Sequence, residues 1–163
     1  MRVFHGILLA AALWLVVSCQ MRPRTEAGAD EQVVLTHEEI VAHPYDVTWS
    51  ALNDLINART WRANSINEST GKFSIAPFPV ANDSGFFACG SGRRDSYSDH
   101  HAQVDITVKR VSASGTNVGF VTRIDASDTS GRYSGRVECR SNGLLEKEII
   151  AAMDSVIASR KMK

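Results

Sequence analysis

Asp99, His100 and His101 stand side by side and form the one local group in the chain with metal-ligand chemistry. Adjacent histidines on a strand point to opposite faces, so they serve one ion only if the segment is a loop. No second Cys, His or Asp group follows at zinc-finger or metalloprotease spacing. The expectation is exposed polar loop residues and no metal. Gly85, Gly90 and Gly92 suggest a phosphate loop. The lysine-bearing P-loop pattern is absent, however, and no helix follows to present its positive end. Gly131-Arg132-Tyr133-Ser134-Gly135 carries its serine one place away from a nucleophile elbow. Nothing marks an activated nucleophile, which needs a base and an orienting group. The chain therefore reads as a non-enzyme with no catalytic residues and no cofactor. Trp49 and Trp61 have rings that could stack on a ligand, but both fall on positions that read as core.

Composition agrees with a packed domain. The chain has 163 residues, 44% hydrophobic and 22% charged, as in an ordinary globular protein. Lys plus Arg and Asp plus Glu each total 18, so the basic excess of a nucleic-acid binder is missing. The small clusters Arg22/Arg24 and Arg93/Arg94 read as solvated surface.

The first residues have three parts: Arg2 in a short polar start, an unbroken apolar run over 7–17, then Ser18 and Cys19. This is the order of a secretory signal peptide. The run is about half the roughly 20 residues that span a bilayer, and Gln20 and Arg22 end it. Val16-Val17-Ser18-Cys19 resembles the bacterial lipobox, with Val17 where Ala or Ser is commoner. The resemblance implies cleavage after Ser18, a diacylglyceryl thioether on Cys19 and fatty acylation (palmitate) of the new amino terminus. Each buried CH₂ of such chains contributes about 0.8 kcal/mol to anchoring. Gln20 rather than Asp implies, in enteric bacteria, sorting to the outer membrane, facing the periplasm. Residues 20–30 are polar, contain Pro23 and Gly28 and lack periodicity. They read as a tether whose root-mean-square span is about 18 Å.

If Cys19 carries lipid, Cys89 and Cys139 remain. The leader implies an oxidising compartment, where two thiols tend to pair. A Cys89–Cys139 disulfide is expected, closing a loop that would contribute about 4 kcal/mol in the chain-entropy model. Two buried free cysteines are the alternative. No C-x-x-C is present to suggest redox catalysis.

The elements that must position these residues follow from periodicity. Val33, Val34 and Leu35 suggest a short first strand. Pro44 opens a helix whose stripe is Tyr45, Thr48, Trp49, Leu52, Leu55 and Ile56. Residues 61–67 and 72–78 read as a hairpin around Asn67 and Gly71, and 80–100 as a long irregular stretch. Ala102, Val104, Ile106 and Val108 alternate with polar residues, the clearest strand signal. Val118, Phe120 and Ile124 continue it, then Tyr133, Val137 and Cys139. Ser141-Asn142-Gly143 starts a last helix with the stripe Leu145, Ile149, Met153 and Val156, and Ile157 alongside. The expectation is α+β: an antiparallel meander with two helices on one face. The chain divides into a signal peptide over 1–18, a lipidated cysteine and tether over 19–31, and one α+β domain over 32–163.

Trp49-x-x-Leu52, then Trp61, then Gly71 in a turn between strands resembles the repeated domain of BamC-type envelope lipoproteins, which has a helix-grip fold. The resemblance covers residues 45–78 and the closing helix. Asn67 and Glu68 stand where the family's turn has Asp, and the glycine-rich stretch and cysteine pair lie outside the pattern. It implies a non-catalytic binding or scaffold module in an envelope protein complex, held to the membrane by lipid. Two other readings compete with it. A periplasmic lipid or small-molecule binder would need a closed apolar pocket of at least about 300 Å³. A hydrolase or metal protein would use the 80–101 loop, with His100 or His101 converging on other polar groups.

Overall fold

The structure, a computed structural model, describes residues 35–89, 96–129 and 135–162. All of them belong to one compact unit. Nine main elements follow in order: β1 (Leu35–Val41), α1 (Tyr45–Ala58), β2 (Ala63–Asn67), β3 (Lys72–Pro79), β4 (Phe87–Cys89), β5 (Tyr97–Arg110), β6 (Thr116–Asp128), β7 (Arg136–Ser141) and α2 (Leu144–Lys161). The fold is α+β, an antiparallel seven-stranded sheet with two helices.

β5 and β6 are the spine. Their alternation buries every second residue: Ala102, Val104, Ile106 and Val108 on one strand, Val118, Phe120, Ile124 and Ala126 on the other. This period of two, buried on one face only, is what an antiparallel sheet covered on one side requires. β3 joins the far edge of β5 in antiparallel register, placing Phe73 opposite Ile106 and Ile75 opposite Val104. The other edge of β6 is shared. β1 pairs with its first half, Leu35 opposite Thr122 through Val41 opposite Thr116, and β7 with its second half, Ile124 opposite Cys139.

Both helices close the same core. On α1, Leu52, Leu55 and Ile56 are buried, and the Trp49 ring lies 4.0 Å from that of Phe73. On α2, Leu145, Ile149, Ile150, Met153 and Ile157 are buried. Pro44 caps α1 through its carbonyl, which accepts from the Thr48 amide at 3.0 Å. Gly143, at φ 84°, precedes α2, and the Asn142 side chain accepts the Leu144 amide at 3.1 Å. A side-chain oxygen satisfying an otherwise unpaired first-turn amide is the ordinary device for starting a helix.

Two expectations change. Residues 33 and 34 of the expected first strand lie outside the described residues, and its described part, Leu35–Val41, runs well past the expected end. It carries His37, Glu38 and Glu39 because an edge strand tolerates polar side chains on both faces, which hides its alternation. The stretch from 80 to 100 is not wholly irregular: it holds β4 and the start of β5. β4 is too short for a periodic signal, and a bulge between Ser98 and His101, with Asp99 at φ 52°, breaks the alternation of β5. β5, β6 and β7 pair consecutively as the expected antiparallel meander, within a sheet of order β2-β3-β5-β6-β7-β4 with β1 on β6. Its last strand begins at Arg136, after Tyr133, which lies outside the described residues.

Candidate functional site

A cleft opens where the end of α1, the start of α2 and the loop after β3 meet. Leu55, Trp61, Phe78, Val80, Phe86, Leu145 and Ile149 give it apolar walls, and Arg59, Ser84 and Glu148 a polar rim. Its volume is about 170 Å³. Trp61 stacks on Phe78 with centroids 4.7 Å apart, and the Arg59 guanidinium sits 5.7 Å above the indole. Arg59 also reaches Glu148 on α2 at 3.4 Å, so one ion pair bridges the two helices at the mouth. Trp61 thus lines the cleft and is only half-buried, whereas the sequence placed it in the core. Trp49 does lie in the core.

A second site, of about 270 Å³, lies on the opposite face of the sheet, with His101, Gln103, Arg123, Asp125, Arg136 and Glu138 among its walls. Its centre is Arg136. The guanidinium donates through Nε to Asp125 at 2.9 Å, through Nη1 to the Asp99 carboxylate at 3.1 Å, and through Nη2 to the Asp99 carbonyl at 3.0 Å. These bonds hold the β5 bulge against β7. Hydrogen bonding to Asp125, more than the charge of Asp99, raises the Arg136 pKa above its ordinary value. Beside it, Arg123 pairs with Asp105 at 3.2 Å, and the Ser74 hydroxyl donates to the same carboxylate at 2.7 Å. Arginines and carboxylates here satisfy each other, which favours a structural clamp over an open anion site.

The adjacent residues of the sequence motif diverge. His101 faces the Arg136 cluster, with Nδ1 3.1 Å from the Asp99 carbonyl. His100 turns into the core and stacks on Phe87 at 4.7 Å. Burial pushes the His100 imidazole pKa down, because the charged form loses hydration. Among the described residues, no three His, Cys, Asp or Glu side chains converge as metal ligands.

Cys89 and Cys139 occupy opposite positions in the β4–β7 register, and their sulfurs are bonded at 2.03 Å. Gly85 leads into β4 rather than into a helix. Cys19, the leader, the tether, Arg93, Arg94, Gly90, Gly92 and Ser134 lie outside the described residues. Sequence reasoning missed the Arg136 cluster and Glu146. The Glu146 carboxylate is fully buried and accepts from the Ser141 hydroxyl at 3.2 Å. Only its place inside an apolar helix stripe could have revealed it. No helix among the described residues is long and apolar enough to cross a membrane.

No protein-family model matches the chain, and no curated protein does. Among solved structures, a conserved protein from Geobacillus kaustophilus is 10% identical, with a TM-score of 0.37 over 77% of this chain and 92% of that one. An uncharacterized protein from Bacillus thuringiensis is 8% identical, with a TM-score of 0.31 over 80% and 99%. The Zhui aromatase/cyclase from a Streptomyces species is 13% identical, with a TM-score of 0.32 over 79% and 86%. At these scores the likenesses assign no activity to this chain.

Proposed function

We propose that the chain is a lipid-anchored envelope lipoprotein whose folded domain binds a protein partner and performs no reaction itself. The observation that carries this reading is the size of the cleft between helices and sheet. At about 170 Å³ it falls below the roughly 300–1,000 Å³ of sites that enclose small ligands. It is large enough to seat an apolar side chain. Half-buried aromatic walls with an arginine at the rim are also the composition of anchor pockets at protein interfaces. The cysteines support the address. With Cys89 bonded to Cys139, Cys19 is the one left at the end of the apolar leader, where the lipobox resemblance would place lipid. A carrier of lipids or small molecules would need the core to open, and Phe73, Phe120, Leu52 and Met153 fill it.

A photo-crosslinking amino acid at Ser84, on the cleft rim, tests the reading in native membranes, with one at Gln103 on the opposite face as the comparison. The expected result is one protein adduct from Ser84, lost in Cys19→Ala and absent from Gln103. A co-purifying lipid or small molecule with no protein adduct would overturn it.

A further inference from the structure

His100 takes no part in the cleft or in the Arg136 cluster. Its residue is 4% exposed, and its Nε2 is buried with no hydrogen-bond partner among the described residues. Its ring stacks on Phe87, the first residue of β4. β4 is three residues long and hydrogen-bonds to β7 at the end of the sheet order. A short edge strand has few backbone bonds to hold it, so a ring stack at one end and a disulfide at the other carry much of its attachment.

We propose that His100 is an acid-sensitive latch for β4: its neutral ring holds Phe87, and a second proton on the ring releases the strand as far as the Cys89–Cys139 bond. This goes beyond the binding role and does not depend on it. The doubly protonated ring would place a charge in an apolar layer, with no acceptor for Nε2 among the described residues, which is costly. Among the described residues, Asp99 alone favours the charged ring. On its own strand, the Asp99 carboxylate is committed to Arg136, and His101 turns to the other face. β7 adds the cation Arg136 and, on the inner face, Cys139 and Ser141. β4 brings Phe87, Ala88 and the bonded Cys89, none of which titrates. Just after β3, the Val80 amide donates to the His100 carbonyl. The inner face of β6 brings Ala126, with Asp125 on the outer face. From α2, the Glu146 carboxylate is held by Ser141. Burial first, then Arg136 and His101, push the imidazole pKa down, against an opposing pull from Asp99. A histidine whose folded pKa is depressed stabilises the fold fully above its ordinary value of about 6.5. That contribution is lost as pH falls through the depressed value.

Hydrogen–deuterium exchange of the full-length chain in mild detergent, at about pH 7.5 and about pH 5 and corrected for intrinsic rates, reads the latch directly. Residues 86–88 should exchange about tenfold faster or more at the lower pH, while β3 is unchanged. His100→Phe keeps a ring without a titrating nitrogen and should remove that acid response. If it does not fold, His100→Gln takes its place. An acid response that is missing in the parent chain, or that persists in the folded variant, would overturn the proposal.

Discussion

At the β2–β3 end of the sheet, Trp49 lies 4.0 Å from Phe73, and the chain turns through Gly71 at φ 64°. At the β4–β7 end, a three-residue strand is joined by a disulfide and a buried imidazole. The first end is held by shape: apolar side chains interlock, and a glycine lets two backbones touch. The second is held by a covalent bond, polar pairs and a ring stack. The difference teaches where this domain can move. Packing of large side chains resists local opening, while a three-residue edge strand with few backbone bonds opens first.

The contrast can be broken by substitution. Gly71→Ala should have the largest effect. An added Cβ would sit 2.2 Å from the Val108 carbonyl oxygen, in a left-handed conformation that alanine rarely adopts. A loss of more than about 4 kcal/mol is expected, enough to prevent folding in a marginal domain. Circular dichroism and soluble yield would show it, and a folded, stable variant would refute the close approach.

Trp49→Ala should cost about 3–4 kcal/mol, because it leaves a cavity over Phe73. Trp61→Ala, on the cleft wall, should cost less than half of that and leave the two-state transition intact. Denaturant midpoints compare the two. Equal losses would mean that Trp61 is core after all.

Cys89→Ala with Cys139→Ala should cost about 2–3 kcal/mol, and the loss of protection should be confined to residues near β4. If the double variant is destabilised more than Trp49→Ala, the β4–β7 end is the stronger one and the contrast is reversed. Arg136→Gln should have the smallest effect of the series, since solvent screens an exposed ion pair. The loss should shrink further at high salt. A loss independent of salt would indicate that the bulge needs Arg136 for its backbone bonds to Asp99 alone.

The packed end was legible in the sequence because its signals are local. The stripe of α1, the turn residues Asn67 and Gly71 and the alternation of β5 and β6 each lie within one window. Asn67 acts as the turn reading required: its side chain accepts the Thr70 amide at 3.1 Å. The other end was illegible for the converse reason. β4 has three residues, and the β5 bulge shifts the apolar phase at Asp99. Arg136 meets partners 37 positions away in Asp99 and 11 away in Asp125. Only strand pairing brings those groups together, and no spacing in the chain announces it. His100 and His101 look like exposed loop residues in the sequence, yet strand geometry sends one into the core and the other onto the outer face.

Intact mass of the protein isolated from its own membranes, with thiol labelling after denaturation without reduction, tests the anchored-module reading most directly. The expected species starts at Cys19, carries a diacylglyceryl group and takes up no label at Cys89 or Cys139. A chain that retains residues 1–18 without lipid, or that labels at both cysteines, would contradict it.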